Sequence, residues 1–337
     1  MSLLNIFGAN LAIDLGTANT LVYKEKEGII INEASAVAFD TRTAEVVAIG
    51  NAAYDMYGKS PENVMILRPL ENGKISNFEV TKILFKYCID KAIEGFTLFQ
   101  PKVVITAPSG ISDIELRALE DACTYSGARD VYIVESTLAS AIGSDIDISK
   151  KEGRLIVDFG AGSTEISIIS MNGIVISKNI KYGGDYVDQE IIDYIYDKHS
   201  LIIGKTTAKE AKESIGAIGD ITTFSEKEIS GRDVMTGMPL SIIINSSDII
   251  EAINDTYKSI LDGIRYVLEK NPPELSKDIL KNGIFITGGG SRLKNLDIYI
   301  EKELGLKLVK SKNPFSDAIN GAGTIVTNLE EYKKIGK

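Results

Sequence analysis

The fold of this chain is decided by the run Leu11-Ala12-Ile13-Asp14-Leu15-Gly16-Thr17-Ala18-Asn19-Thr20-Leu21-Val22-Tyr23. Apolar residues lead into a turn at Gly16 and out of it again, which predicts a strand, a tight turn and a second strand. Backbone N–H groups of successive turn residues can converge on an anion, so this turn suits a phosphate. Asp14 cannot bind phosphate directly, and its natural role beside one is to hold a hydrated divalent cation.

The same pattern returns in the second half of the chain, in Leu155-Ile156-Val157-Asp158-Phe159-Gly160-Ala161-Gly162-Ser163-Thr164. The Asp, the Gly two positions after it and the Thr six positions after it are all repeated. A third turn, Phe285-Ile286-Thr287-Gly288-Gly289-Gly290-Ser291-Arg292, also follows an apolar strand. One such turn alone is more simply a surface hairpin, but three in this order predict two related halves that close on one nucleotide.

The chain has 337 residues, of which 44% are hydrophobic and 25% charged, and this is enough for two domains with sizeable cores. Its net charge of −10 argues against nucleic acid as a partner, because affinity for nucleic acid comes largely from Lys and Arg. Cys88 and Cys123 lie in helical patterns, so we predict buried free thiols in a reducing cytosol. No run approaches the roughly 20 apolar residues that span a bilayer, and the N-terminus lacks the basic region of a signal peptide.

Strand and helix patterns alternate along the chain, which points to mostly parallel sheets covered by helices. An amphipathic helix is predicted over 77–93, and Ser112-Asp113-Ile114-Glu115 is a capping box that opens the next helix. The charged segment 144–153 is the predicted domain boundary. Beyond it, a helix over 247–270 is stopped by Pro272-Pro273.

These motifs resemble those of a known superfamily. The run Ile13–Tyr23, the segment Val157–Ser170 and the triple-glycine turn resemble the phosphate-1, phosphate-2 and adenosine motifs of the actin/Hsp70/sugar-kinase superfamily. Within it, the first turn resembles that of MreB, the family of bacterial actins that form cell-shape filaments. The resemblance covers nearly the whole chain and also includes Pro61-Glu62-Asn63, Arg68-Pro69-Leu70, Gly231-Arg232-Asp233 and Pro272-Pro273-Glu274-Leu275.

The resemblance implies an α/β actin-like ATPase fold. Two related RNase H-like domains, each a mixed and mostly parallel sheet with helices, would surround a nucleotide cleft, and each would carry a small inserted subdomain. The implied boundaries are 1–32 and 69–144 for subdomain IA, 33–68 for IB, 145–181 and 246–314 for IIA, 182–245 for IIB, and 315–337 for a C-terminal helix that returns to IA.

The resemblance also implies the cofactors, ATP or ADP with Mg²⁺, and the residues that hold them. The phosphates would lie between Gly16, Thr17, Ala18 and Asn19 on one side and Gly160, Ala161, Gly162, Ser163 and Thr164 on the other. Asp14 and Asp158 would hold Mg²⁺ through water. The adenosine would meet Gly288, Gly289, Gly290, Ser291 and Arg292. Ribose and base would also meet Lys209, Glu210, Lys212 and Glu213, which without the resemblance are simply a solvated helix face.

The hydrolysis position departs from the family pattern. MreB relatives carry two successive glutamates and a proline where this chain has Glu135, Ser136 and Thr137. The second glutamate positions or activates the attacking water, and losing a general base typically costs about 10²–10⁴-fold in rate. A hydroxyl that relatives supply with threonine is kept as Ser163. We therefore expect slow ATP hydrolysis around Glu135, Ser136 and Ser163; the alternative is a local rearrangement that rescues the rate.

An apolar loop is a candidate site of membrane contact. Phe96, Leu98 and Phe99 lie in a loop between a helix and a strand, where MreB relatives carry a Leu-Phe pair that contacts the membrane. Packing beneath the loop is the alternative explanation. Because burial of each side chain is worth roughly 1.5–3 kcal/mol, the contact would be weak in a single subunit and strengthened by avidity in a filament.

By resemblance, the protein would self-associate into filaments, as antiparallel double protofilaments at the inner, cytoplasmic face of the cell membrane, and would co-assemble with paralogous actin-like proteins. The filaments would determine cell shape or, in a wall-less cell, helicity or motility. Three other functions remain open. They are a scaffold that holds nucleotide without cycling, a small-molecule kinase, and an Hsp70-type chaperone, which would need a peptide-binding domain after the ATPase.

Overall fold

The computed structural model describes residues 10–71, 73–93 and 99–332. Its strands are β1 (Asn10–Leu15), β2 (Asn19–Lys24), β3 (Gly28–Ala34), β4 (Val37–Asp40), β5 (Val46–Ile49), β6 (Val64–Leu67), β7 (Leu70–Glu71), β8 (Lys74–Ile75), β9 (Lys102–Ala107), β10 (Asp130–Glu135), β11 (Arg154–Phe159), β12 (Thr164–Ser170), β13 (Gly173–Ile180), β14 (Leu201–Ile202), β15 (Glu226–Asp233), β16 (Pro239–Asn245), β17 (Ile284–Thr287) and β18 (Leu308–Lys310). Its α-helices are α1 (Asn51–Tyr54), α2 (Phe78–Ala92), α3 (Asp113–Tyr125), α4 (Ser136–Gly143), α5 (Gly184–His199), α6 (Lys205–Ile215), α7 (Ser246–Lys270), α8 (Pro273–Asn282), α9 (Leu296–Leu304), α10 (Asp317–Thr327) and α11 (Leu329–Tyr332), and a 3₁₀ helix covers Gly289–Arg292.

Two five-stranded sheets carry the same plan. The first has the order β3-β2-β1-β9-β10 and the second the order β13-β12-β11-β17-β18. In each, an antiparallel meander of three strands is followed by two strands that run parallel to its first strand. Smaller three-stranded sheets, β5-β4-β6 and β14-β15-β16, are inserted into the two halves. The predicted pair of related α/β halves is thus confirmed.

The two Asp-Gly hairpins form as predicted. Strands β1 and β2 pair so that Leu15 lies opposite Thr20, and β11 and β12 pair so that Phe159 lies opposite Thr164. Each Asp precedes its turn and has its side chain on the face opposite to its apolar neighbours. Asp14 lies opposite Leu21, whereas Asp158 lies opposite Glu165.

A shared apolar core joins the two sheets. Buried residues of the first sheet, such as Ala12 and Val104, belong to one cluster with Ile156 and Ile169 of the second sheet. Helices α4 and α10 supply seven further members, among them Leu138 and Ile319, so these two helices contribute to the connection between the halves. Helix α10 packs on β1 and β9, so this C-terminal helix lies against the first sheet; it covers Asp317–Thr327, within the range 315–337 predicted for it.

Local sequence signals account for several boundaries. Ser112 and Glu115 form the predicted capping box at the start of α3. Helix α7 ends at Lys270 just before the two prolines, and Pro273 then occupies the first turn of α8, where its missing N–H is tolerated. Cys88 and Cys123 are buried free thiols, and burial raises the pKa of each to about 12, so both are unreactive.

Candidate functional site

A cavity of about 710 Å³ lies between the two halves. This volume is in the range of small-molecule and cofactor sites. The two Asp-Gly turns, the triple-glycine turn, α1, α5 and α6 all contribute to its wall. Basic side chains outnumber acidic ones in the lining, although the chain as a whole is acidic: Arg68, Lys205, Lys209, Lys212, Arg292 and Lys294 against Asp185, Asp188 and Glu213. The cavity therefore suits an anionic ligand.

The first turn is closed by backbone and side-chain hydrogen bonds. Gly16 N donates to Asn19 O over 3.0 Å, and Ser35 Oγ donates to Gly16 O over 2.6 Å. A Cβ at Gly16 would lie 2.7 Å from Asn19 O, so the turn has no space for a side chain there. Of the residues predicted to hold phosphate on this side, Ala18 and Asn19 line the cavity.

The second turn is held by the start of α5. Gly184 N donates to Gly160 O over 3.0 Å and Asp185 N donates to Ala161 O over 2.8 Å. The hydroxyl of Thr164 donates to Tyr182 O over 2.6 Å, so this side chain supports the turn. Gly160, Ala161 and Thr164 line the cavity.

The tips of the two turns touch each other beyond the cavity. A Cβ at Gly162 would lie 2.4 Å from Thr17 Oγ1, and both Thr17 and Ser163 are buried. The structure thus brings both predicted phosphate turns together. It places Ala18, Asn19, Gly160, Ala161 and Thr164 on the cavity wall, and Thr17 and Gly162 at the contact between the turns.

Two carboxylates lie behind the turns. Asp14 accepts a hydrogen bond of 2.5 Å from Thr106 Oγ1, and burial raises the pKa of Asp14. Asp158 accepts a 3.1 Å hydrogen bond from Ser140 Oγ, and burial, followed by the charge of Asp14, raises the pKa of Asp158 to about 7. Two half-buried carboxylates that repel each other fit a site that receives a cation. Across the described ranges no group of three or more His, Cys, Asp or Glu side chains could hold a metal.

A third buried carboxylate was not predicted as a site residue. Glu165 on β12 accepts a 3.0 Å hydrogen bond from Ser109 N, in the loop after β9. Burial, followed by the charge of Asp158, raises the pKa of Glu165 to about 8. An acid directly before the run Ile166-Ser167-Ile168-Ile169 was the available sequence signal. The structure places Glu165 directly opposite Asp158 in the hairpin.

At the predicted hydrolysis position, Glu135 and Ser136 lie in different surroundings. Glu135 pairs with Ala107 and Asp14 pairs with Thr106, so strand alternation turns Glu135 to the face of the sheet opposite Asp14. Glu135 instead lines a small pocket with Ala107, Ile111 and Leu116. Ser136 is half-buried at the first position of α4. Strand alternation thus points Glu135 away from Asp14. Its charge is nevertheless close enough to Glu165 to be among the causes, after burial and the charge of Asp158, that raise the pKa of Glu165.

Thr137, at the proline position of the family, is fully buried at the floor of the site. Its Oγ1 donates to Ser167 Oγ over 2.9 Å and lies 3.2 Å from Ser109 Oγ. Because Ser167 belongs to β12, these bonds join the two halves. The hydroxyl is committed to this structural role.

The triple-glycine turn packs directly on the second hairpin. Gly288 has φ 79°, and a Cβ there would lie 2.2 Å from Asp158 Oδ1. Gly289, Gly290 and Arg292 line the cavity, and the Arg292 guanidinium lies 5.2 Å from the ring centroid of Phe315. Ser291 is buried and donates to Gly288 O over 2.7 Å, so its hydroxyl stabilises the turn.

Helix α6 presents one face to the cavity. Lys209, Lys212 and Glu213 line it, and Lys212 Nζ lies 2.7 Å from Asp188 Oδ1 on α5. Glu210, which was predicted with them, instead lies 3.8 Å from Lys227 Nζ and is exposed. Sequence reasoning missed Tyr54, Arg68, Lys205 and Lys294, which come from distant segments.

The predicted membrane loop is only partly described. Phe96 and Leu98 lie outside the described residues, and Phe99 is 46% exposed. Within 10–71, 73–93 and 99–332, no helix combines the length and the apolar character needed to cross a membrane.

Comparisons with known proteins extend over nearly the whole chain. The family model described as "MreB/Mbl protein" matches residues 8–334. The cell shape-determining protein Mbl of Bacillus subtilis (strain 168) is 37% identical over 329 residues, which are 98% of this chain and 99% of that protein. The cell shape-determining protein MreB of Escherichia coli (strain K12) is 36% identical over 332 residues, with 97% and 96% covered.

Solved structures agree. The crystal structure of MreB5 of Spiroplasma citri bound to ADP has a TM-score of 0.92 and 32% identity, and it covers 97% of this chain and 98% of that chain. The MamK double helical filament has a TM-score of 0.79 at 24% identity, over 96% and 99% of the two chains, which supports the fold alone.

Proposed function

Because the chain belongs to the MreB/Mbl protein family, we propose that it is an actin-like cytoskeletal protein that binds ATP or ADP and assembles into filaments. The observation that carries this proposal is the basic cavity between the two Asp-Gly turns, with the triple-glycine turn in the same wall. The relative MreB5 was solved with ADP and with AMPPNP, which supports a nucleotide as the ligand.

The phosphates would lie against Ala18, Asn19, Gly160 and Ala161, in turns completed by Gly16, Thr17, Gly162, Ser163 and Thr164. Asp14 and Asp158 would hold Mg²⁺ through water, and the cation would offset phosphate charge when bound. The burial and mutual repulsion of these two carboxylates support this assignment.

The adenosine would lie at the other end of the cavity. Gly289, Gly290 and Arg292 would meet it on one side, with Gly288 and Ser291 shaping the turn. Lys209, Lys212 and Glu213 would contribute from α6. Glu210 is left out of this proposal because it faces Lys227.

ATP hydrolysis would be slow. Ser136 stands where the family pattern has the water-positioning glutamate, Glu135 is on the strand face opposite Asp14, and the Thr137 hydroxyl is bonded to Ser167. Ser163 is the remaining hydroxyl near the phosphates. The resulting filament would lose its ATP slowly and turn over slowly.

The test of the main proposal is sedimentation with and without nucleotide. The protein should pellet with Mg-ATP and remain in the supernatant with EDTA alone, and it should retain a fluorescent ATP analogue on a filter. Asp158→Ala should lose the Mg²⁺-dependent part of nucleotide binding, whereas Asp262→Ala, on the exposed face of α7, should match the parent. Absence of nucleotide binding by the parent would reject the proposal.

The filaments would be antiparallel double protofilaments on the inner face of the membrane. Each subunit would have the subdomain boundaries given above. The exposed Phe99 supports a weak membrane contact. Filaments should co-pellet with vesicles of neutral and anionic phospholipid, and Phe99→Ser should reduce this. The role would be cell shape or, without a wall, helicity or motility.

A second candidate is a scaffold that holds nucleotide and co-assembles with an active paralogue. Ser136 and the committed Thr137 favour it. If adding this protein changes the length or turnover of a paralogue's filaments while it hydrolyses almost no ATP alone, the scaffold becomes the better description.

A further inference from the structure

Two side-chain contacts join opposite walls of the cavity. Arg68 follows β6 in the first half, and its Nη1 lies 2.6 Å from Oδ2 of Asp185, in the first turn of α5 in the second half. The ammonium of Lys209 on α6 lies 5.4 Å from the ring centroid of Tyr54 on α1. All four residues line the cavity, and each contact spans from the first half to the second.

The ion pair is fixed to the second phosphate turn. Asp185 N donates to Ala161 O over 2.8 Å, so the carboxylate that holds Arg68 and the backbone that would hold phosphate belong to one rigid unit. The Arg68 side chain is 22% exposed and that of Asp185 36%. A charge-assisted bond with this degree of burial is screened less by salt than a fully exposed pair.

We propose that the Arg68–Asp185 ion pair, supported by the Tyr54–Lys209 contact, is a gate that holds the two walls of the cavity together and sets how fast a nucleotide enters and leaves. This inference rests on the proposed function, in which the cavity holds a nucleotide. Asp185 is hydrogen-bonded to the second turn, but neither Arg68 nor Asp185 is among the residues proposed to hold phosphate.

A gate and a ligand contact have different kinetic signatures. Residues that only contact the nucleotide would, when removed, raise its dissociation rate and leave its association rate nearly unchanged. Opening a gate raises both rates together, and the dissociation constant changes little. Measuring the association and dissociation rates together therefore distinguishes a gate from a ligand contact.

The experiment is stopped-flow mixing of a fluorescent ATP analogue with the parent, Arg68→Ala, Asp185→Asn and the double charge reversal Arg68→Asp with Asp185→Arg. Each single variant should raise both rates by about threefold to fivefold, the range of a partly exposed ion pair. The double reversal should return both rates towards those of the parent. Arg265→Ala removes a comparable Arg–Asp pair, 2.9 Å long and within α7, and should leave both rates unchanged.

Unchanged rates in both single variants, with normal equilibrium binding, would overturn the gate and leave the proposed function standing. A rise in dissociation alone would also overturn it, because that is the signature of a ligand contact. If these variants fail to fold, Tyr54→Ala, which removes the second contact between the walls, should raise both rates, and unchanged rates in that variant would overturn the gate. A parent that binds no nucleotide at all would overturn the gate and the proposed function together.

Discussion

The two halves of this protein share a topology but support their phosphate turns differently. The first turn is held by Ser35, which donates to Gly16 O and also bonds to Thr20. The second is held by the N-terminus of α5, whose N–H groups donate to Gly160 O and Ala161 O. Only the second turn is thus tied directly to a long helix that reaches the inserted sheet.

The halves also differ in the charge they bring to the floor of the cleft. The second half contributes Asp158 and Glu165. The first half contributes Asp14, and at the position where relatives carry a water-positioning glutamate it has Ser136. Under the proposed function, both halves would hold the nucleotide, whereas the first half would lack its part in hydrolysis.

Ser136→Glu should restore a water-positioning glutamate to the first half, and we expect it to cause the largest change of all the variants, in the rate of ATP hydrolysis. We expect steady-state phosphate release with Mg-ATP, at concentrations where the protein pellets, to rise by about 10²-fold or more, because the carboxylate can orient and activate water. Ser136→Gln is the matched control of equal size without charge, and it should stay near the parent's rate. A parent that already releases phosphate as fast as the glutamate variant would show that another group holds the water, and Ser163 would be tested next.

Substitution of Asp158, one of the two neighbouring carboxylates, should give the next largest change, in the pH dependence of stability. Because the pKa of Asp158 is raised from 3.8 to about 7 in the folded protein, its contribution to stability is greatest below pH 3.8 and is lost as pH rises through 7. In the absence of Mg²⁺ and nucleotide, Asp158→Asn should therefore stabilise the protein at pH 8, by up to roughly 4 kcal/mol, and have little effect near pH 4.

Urea unfolding at the two pH values measures this difference. Asp14→Asn should act in the same direction, because burial also raises the pKa of Asp14. Asp262→Asn, whose side chain is 72% exposed, should have little effect at either pH. A variant that is equally stable relative to the parent at both pH values would contradict the assigned burial of charge.

The two turns should respond equally to one substitution. A Cβ would lie 2.7 Å from Asn19 O at Gly16 and 2.9 Å from Ser163 O at Gly160. Alanine at either position should reduce the free energy of unfolding by about 1–3 kcal/mol through overpacking. Gly173→Ala, where the nearest atom would lie 3.9 Å away, is the control. A much smaller loss at Gly160 would show that α5 lets the second turn adjust.

The sequence predicted what is local and missed what depends on distant segments. Both hairpins, the capping box of α3 and the doubled plan follow from short-range patterns, and the structure has them all. Glu165 was missed because its importance depends on strand register, which places it opposite Asp158. Arg68 and Tyr54 reach the cavity only through packing of the first inserted sheet beside α5 and α6, which no local pattern reports.

The predicted residues of α6 do not all reach the cavity. Lys209, Lys212 and Glu213 line the cavity, whereas Glu210 lies near Lys227. Because Glu210 is three positions before Glu213, helical spacing alone does not separate it from the others, and the packing of α6 decides which side chains reach the cavity. The site residues remain predictions until nucleotide binding is measured.

The smallest expected effect concerns the floor, where the halves meet. Thr137→Val keeps the shape of the side chain but removes the bonds to Ser167 and Ser109, and leaves their hydroxyls without that partner. We expect a loss of about 1–2 kcal/mol in urea unfolding. The exposed Thr324→Val, which removes only a bond to Asn320 O, should lose less than about 0.5 kcal/mol. Combining Thr137→Val with Ser167→Ala should cost less than the sum of the two, since both remove one bond. Strict additivity would mean that the two hydroxyls do not interact, and the halves would then be joined at this level by apolar packing alone.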